Sequence, residues 1–136
     1  MDFNKIKKEF DEHKAFGLHT IINAKTCNDF IRNPIKLENF TIVLCDIIGM
    51  KRYGDCHTPY FGDDDKVKGY SLMQFIETSS LTGHFVESTQ AAYIDVFSCE
   101  VYDSYAVHDF VNMYFRPIKI KMKVMLRTEE DIIQII

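Results

Sequence analysis

The chain has 136 residues, of which 46% are hydrophobic and 26% are charged, and its formal net charge at pH 7 is −4. This composition is typical of a globular protein with one core, so we expect residues 1–136 to form a single domain. The acidic balance argues against nucleic acid as the main partner, because phosphate binding needs a basic face. No apolar run approaches the roughly 20 residues of a membrane span, so no membrane partner is expected.

Hydrophobic periodicity predicts the elements in the first half of the chain. Helices are indicated where apolar residues recur every three or four positions, and strands where β-branched residues cluster. In chain order these elements are a helix at 3–14 ended by Gly17, a strand at His19–Ala24, a helix at Leu37–Met50 ended by Gly49 or Gly54, and a strand at Cys56–Phe61. We interpret the acidic run that follows, Asp63-Asp64-Asp65, as a solvated loop and expect no metal site.

The centre of the chain predicts three consecutive strands. They are expected at Lys68–Thr78, Ser80–Glu87 and Gln90–Ser98. In an antiparallel meander, residues that are distant in number lie side by side. We therefore expect the hydroxyl groups at 78–80, the imidazole of His84 and the thiol of Cys99 to converge on one sheet.

The last part of the chain completes the predicted fold. Helical spacing predicts a second covering helix at Asp103–Phe115, and alternation predicts a final strand at Ile118–Leu126 with Ile118 and Ile120 on the same side. The Ile-rich stretch Glu129–Ile136 is expected to pack on the core or on a partner subunit. The order of elements predicts an α+β fold, a two-layer α/β sandwich with a mainly antiparallel sheet and helices on one face.

The pattern of cysteines indicates the redox state of the thiols and the cellular compartment. The four of them are Cys27, Cys45, Cys56 and Cys99, and they form neither a CxxC pair nor a zinc-type spacing. The N-terminal residues are charged throughout, which is unlike a signal peptide. We therefore expect reduced thiols and a cytoplasmic location.

Four short motifs along the chain contain the residue types used in catalysis. They are Gly17-Leu18-His19 followed by Cys27, then Gly69-Tyr70-Ser71, then Thr78-Ser79-Ser80-Leu81-Thr82-Gly83-His84, then Ala91-Ala92-Tyr93-Ile94-Asp95-Val96-Phe97-Ser98-Cys99. Together they resemble the motifs of the short bacterial and archaeal S-adenosylmethionine decarboxylases, which are pyruvoyl-dependent. The numbers of positions between Ser79 and His84 and between His84 and Cys99 are the same as in that family, with no insertion or deletion.

The resemblance implies a cytoplasmic lyase of polyamine and spermidine biosynthesis, made as a zymogen. Autocatalytic cleavage would fall between Thr78 and Ser79, and Ser79 would become a covalent pyruvoyl cofactor. The ketone of that group forms a Schiff base with the substrate amine and accepts electrons as carbon dioxide leaves. His84 would assist the eliminations of processing, and Cys99 would return a proton to the substrate carbon.

The resemblance also implies the binding residues and the assembly. Ser71, Asn23 and Glu77 are the candidate substrate-binding residues, and the partner would be a small amino-acid substrate. The family builds dimers or higher oligomers with sites near subunit contacts, so a homo-oligomer is expected.

The sequence departs from the family pattern around the cut and the pocket. Thr78 stands where the family has glutamate, although Glu77 is one position earlier, and Ser80 stands where it has histidine. Asn23 replaces an acidic residue that would suit a cationic sulfonium substrate. Three alternatives therefore stay open: the same chemistry on arginine or ornithine, a non-processing homologue that acts as a ligand-binding or regulatory subunit, and other chemistry on S-adenosylmethionine without pyruvate.

Overall fold

One antiparallel sheet with helices on one face organises residues 2–136, the residues that the computed structural model describes. The helices are α1 (Phe3–Glu12), α2 (Pro34–Ile47) and α3 (Ser104–Phe115), with a short 3-10 helix at Asp29–Arg32. The strands are β1 (Gly17–Lys25), β2 (Arg52–His57), β3 (Tyr60–Phe61), β4 (Gly69–Ile76), β5 (Ser79–Val86), β6 (Ala91–Ser98), β7 (Lys119–Arg127) and β8 (Ile132–Gln134). Their spatial order is β2-β4-β5-β6-β1-β7-β8, with β3 beside β4. The predicted α+β fold and the three central strands are confirmed.

The core lies between the helices and the inner face of the sheet. Alternate residues of the central strands are buried there, while their neighbours face the opposite side. Aromatic side chains of the helices fill this layer, and the rings of Phe40 and Phe110 stack with their centroids 5.5 Å apart. Burying each large apolar side chain contributes about 1.5–3 kcal/mol, so the inner face fixes the register of the strands. Within residues 2–136 no helix covers the outer face, which we call the open face.

Local chemistry explains where the helices begin and end. Asn33 caps α2, which therefore starts at Pro34 rather than at the predicted Leu37. Gly49 follows α2 with φ +69°, as predicted for a helix end. The prediction that Gly17 ends the first helix is wrong, because α1 ends at Glu12 and Gly17 begins β1. Glycine suits the position, because a Cβ would lie 2.6 Å from the outer edge of the Phe97 ring and that ring would have to shift.

Two further expectations differ from the structure, and a third, about the C-terminal tail, agrees with it. The single strand predicted at Cys56–Phe61 is two strands, β2 and β3, and β2 pairs irregularly with β4. Ile118 precedes β7 and is 81% exposed, so it does not share the inner face with Ile120. Residues Ile132–Gln134 of the Ile-rich tail form β8, and Ile133, Ile135 and Ile136 pack against the core, so the expectation that the tail packs on the core is confirmed.

The glycine at the start of β4 allows two backbones to approach closely. Gly69 has φ +152°, and a Cβ there would lie 1.8 Å from the carbonyl oxygen of Phe85. We expect Gly69→Ala to lower the free energy of unfolding by about 3 kcal/mol or more, because β4 and β5 must separate. Urea unfolding followed by circular dichroism measures this. The matched control is Gly49→Ala, which has a positive φ but open space around its Cβ and should lose only about 1 kcal/mol. Equal losses would mean that backbone conformation alone, not the close approach, decides the effect.

Candidate functional site

The turn between β4 and β5 holds the predicted cleavage point. It consists of Glu77 and Thr78, since Ile76 pairs directly with Ser79. Thr78 has φ +63°, in the left-handed region that β-branched residues rarely adopt. Such a conformation costs of the order of 1–3 kcal/mol. The peptide bond that follows Thr78 is therefore attached to a strained residue.

The hydroxyl of Ser79 is held in one place by a neighbouring strand. Ser79 begins β5 opposite Ser98 of β6, and its Oγ donates a hydrogen bond of 2.6 Å to the Ser98 Oγ. The Ser98 Oγ also accepts the backbone N–H of Glu100 at 2.9 Å, and Ser98 is buried. The position of the Ser79 hydroxyl is thus set by β6.

Cys99 lies at the same corner of the sheet. Its backbone N–H donates to the carbonyl oxygen of Thr78 at 3.2 Å. An N–H group aimed at a carbonyl oxygen stabilises negative charge that develops there. The segment that carries the thiol of Cys99 therefore also polarises the carbonyl that precedes Ser79.

The buried thiols differ from Cys99 in their surroundings. Cys99 is half-buried, whereas Cys27 and Cys45 are buried in the core. Burial raises the pKa of each of these two thiols to about 11. Their reactive thiolates are scarce near neutral pH, which agrees with a packing role.

A second group of side chains forms one row across the open face. In register, Ser71 of β4 pairs with His84 of β5, His84 with Tyr93 of β6, Tyr93 with Asn23 of β1, and Asn23 with Lys121 of β7. The Ser71 Oγ and the His84 Nδ1 are 3.0 Å apart and share a hydrogen bond. Three of the residues predicted from the sequence therefore belong to one polar row.

The structure does not bring His84 to Ser79, so that part of the predicted convergence is wrong. The two residues are five positions apart on β5, and an odd separation puts their side chains on opposite faces. They are also separated by about 17 Å along the strand. The backbone segments of Ser79 and Cys99 do lie at one corner of the sheet, because the Cys99 N–H donates to the carbonyl oxygen of Thr78. Glu77 lies in the turn itself, with its carboxylate 3.9 Å from the Nζ of Lys51.

A cleft adjoins the pair formed by Ser71 and His84. Its volume is about 390 Å³, and it is lined also by His57, Phe61 and Met73. Clefts of this size and largely apolar lining accommodate small organic molecules.

Sequence reasoning missed a pair in the neighbouring rows. The His19 Nε2 and the Asp95 Oδ1 are 2.9 Å apart, across β1 and β6. The alternation of β6 indicates that Tyr93, Asp95 and Phe97 share a face. The pairing with His19 depends on the register of β1, which no local pattern reveals.

The fold and these two groups define a two-layer α+β protein whose sheet carries hydroxyl, thiol and imidazole groups, the residue types of nucleophilic and proton-transfer chemistry. The sequence profile of the S-adenosylmethionine decarboxylase family matches residues 18–128, and the chain belongs to this family. Membership supports a decarboxylase-like function.

A solved structure supports the same fold. The crystal structure of the adenosylmethionine decarboxylase from Aquifex aeolicus VF5 aligns with a TM-score of 0.70 at 18% sequence identity, over 86% of this chain and 96% of that one. Likeness at this identity concerns the fold. The comparison with curated proteins finds no match. Within residues 2–136, no helix has the length and apolar character to cross a membrane.

Proposed function

We propose that the protein is a self-processing, pyruvoyl-dependent S-adenosylmethionine decarboxylase of polyamine biosynthesis, cleaved between Thr78 and Ser79. The observation that carries the proposal is the hydrogen bond from the Cys99 N–H to the Thr78 carbonyl oxygen. It places a donor on the carbonyl that Ser79 would attack. The fixed Ser79 hydroxyl and the strained Thr78 backbone support the same assignment.

The cleavage begins with an N→O acyl shift. The Oγ of Ser79 attacks the carbonyl carbon of Thr78, and the electron pair moves to the carbonyl oxygen, where the Cys99 N–H stabilises the charge. Collapse breaks the C–N bond, leaves an ester and gives the hydroxyl proton to the freed amine. Leaving the strained turn lowers the free energy of the products relative to the intact chain.

Elimination then separates the two chains. Loss of the Cα proton of residue 79 and cleavage of its Cβ–O bond release Thr78 as a carboxylate. The remaining N-terminal residue tautomerises, takes up water and loses ammonia, which leaves the pyruvoyl group. The residues at this corner fit the group, since Ser79, with its hydroxyl, begins the strand after a carbonyl that the backbone N–H of Cys99 polarises.

Once formed, the group supplies a ketone that bonds the substrate amine and accepts the electron pair left by carbon dioxide. Beside it, the Cys99 thiol holds a proton for the substrate carbon. Ser71, Asn23 and Glu77 would bind the substrate. Asp95 lies two positions after Tyr93 on β6, on the same open face. Its carboxylate would attract a sulfonium cation, whereas the neutral amide of Asn23 would not. Arginine or ornithine is the alternative substrate, because this decarboxylation requires only an α-amino acid and the shape and charge of the pocket select among them.

A homo-oligomer would reconcile the two separated groups of residues. In one chain the pair of Ser71 and His84 lies about 17 Å along the strand from Ser79. The open face, which carries the pair of Ser71 and His84 and extends toward the corner where Ser79 begins β5, exposes apolar side chains, such as Met73 at 47% and Phe75 at 55%. A second copy packed on this face would cover them and would present its own His84 to the Ser79 corner.

Mixed oligomers test this arrangement. We expect Ser79→Ala and His84→Ala each to be inactive alone, and their co-expressed mixture to recover a measurable fraction of wild-type decarboxylation. Recovery follows because a mixed dimer contains one site with an intact Ser79 from one copy and an intact His84 from the other. The activity assay is paired with analytical ultracentrifugation. Dimers without recovery would mean that each site lies within one chain.

The intact mass of the wild-type protein under denaturing conditions tests the proposed function. We expect two fragments, 1–78 and 79–136, with a pyruvoyl group at the start of the second. Release of carbon dioxide is then measured from carboxyl-labelled S-adenosylmethionine, arginine and ornithine. A single uncut mass would contradict the proposal and favour a ligand-binding or regulatory subunit.

A further inference from the structure

Three lysines border one cleft at a corner of the open face, where β1 ends and β7 begins. The cleft has a volume of about 370 Å³, and Lys25, Lys119 and Lys121 share its lining with Asn23 and Tyr93. All three lysines are exposed. Within residues 2–136, none of their ammonium groups has a carboxylate within 4.0 Å. The cleft therefore has a concentrated positive charge, although the chain as a whole is acidic.

The register makes this arrangement costly for the sheet. Lys25 lies directly opposite Lys119 on the adjacent strand, and Lys121 follows Lys119 on the same face. Like charges directly opposite each other destabilise an antiparallel pair. A bound anion would remove the repulsion, so the site would be more favourable occupied than empty.

We propose that this cleft binds the phosphate group of a small ligand. A phosphate carries close to two negative charges and three acceptor oxygens, which match three ammonium donors. Thr89 also lines the cleft, and its side chain carries a hydroxyl that can act as a neutral donor. Three ammonium groups would repel the cationic part of S-adenosylmethionine, so the lysine end of the cleft is separate from the substrate contact proposed for Asn23. Phosphate binding there does not depend on the chemistry at Ser79.

The lysines of β7 could also protect the edge of the sheet, and the experiment must distinguish this role from phosphate binding. β8 pairs with β7 only at Met125–Arg127, which leaves the first part of β7 as an edge, and lysines on an edge discourage pairing with other chains. Edge protection would use Lys123 as well as Lys119 and Lys121. A phosphate site uses only the lysines that line the cleft, and Lys123 does not.

Isothermal titration calorimetry with inorganic pyrophosphate, on the full chain, tests the proposal. We expect saturable binding that weakens about tenfold in Lys119→Gln and in Lys121→Gln and also weakens as salt is raised. Lys123→Gln, on the same strand and face, is the matched control and should bind as the wild type does. Absence of saturable binding, or an equal loss in Lys123→Gln, would overturn the proposal. So would aggregation of the cleft variants with unchanged affinity.

A second titration identifies the source of the phosphate. The Tyr93 ring is 43% exposed in the cleft and offers a surface on which a base could stack. If ADP binds more tightly than pyrophosphate and the difference is lost in Tyr93→Leu, the ligand is a nucleotide. If both bind equally and Tyr93→Leu changes neither, the site takes the phosphate group alone. Loss of pyrophosphate binding in Tyr93→Leu, with the fold intact by circular dichroism, would contradict a site built on the lysines.

Discussion

Replacing Ser79 by alanine is expected to leave the chain uncut and to abolish release of carbon dioxide. Alanine has no Oγ to attack the Thr78 carbonyl, so the acyl shift cannot begin and no ketone forms. The two effects should appear together, because the cofactor is made from this residue. Intact mass under denaturing conditions measures the first effect, and release of labelled carbon dioxide measures the second.

The adjacent serine supplies the matched control. Ser80 follows Ser79 on β5, and the alternation of the strand puts its side chain on the open face. Ser80→Ala should therefore be cut at the same bond as the wild type. Cleavage that persists in Ser79→Ala would rule out Ser79 as the precursor, whereas loss of cleavage in both variants would point to misfolding of the turn.

Replacing Cys99 by serine should separate cleavage from decarboxylation. The group that donates to the Thr78 carbonyl is the backbone N–H of residue 99, which the substitution keeps. We therefore expect two fragments of the same masses as in the wild type. Decarboxylation should fall by about 10²–10⁴-fold, because a serine hydroxyl is a far weaker acid than a thiol. Mass spectrometry of the fragments and the rate of carbon dioxide release give the two readouts.

A second thiol provides the comparison. Cys56 is also half-buried but lies on β2, away from the turn, where its Sγ contacts the Thr41 Oγ1 at 3.7 Å. Cys56→Ser should keep both cleavage and decarboxylation. An uncut Cys99→Ser chain would assign the thiol to the cleavage step, and full decarboxylation in that variant would remove it from proton transfer.

Much of the fold could be predicted because the central strands carry local signals. Alternation and turn residues located β4, β5 and β6 within a few positions, and the helices of the core face were located by their spacing. The predicted ends of helices and strands are less accurate where a capping side chain or the room for a Cβ atom determines them. Gly17 resembles a helix end in the sequence, yet its neighbour in space is the Phe97 ring, which is 80 positions away.

The candidate site was only partly predictable for a related reason. The motif spacing identifies the residue types, but the predicted strand begins at Ser80, so the sequence does not place Ser79 and His84 on opposite faces of one strand. That inference requires β5 to be a regular strand through both positions, which the structure establishes. The contact of Ser79 with Ser98 depends further on the register of β5 against β6.

The sequence by itself determined the family, the α+β class and the residue types available for chemistry, because motifs and periodicity are local properties of the chain. Only the tertiary structure decided which of these residues meet. Strand order and register bring the Cys99 N–H to the Thr78 carbonyl, separate His84 from Ser79, and place Lys25 opposite Lys119. Such contacts join residues far apart in the chain, and the register that makes them is set by burial of the inner face as a whole.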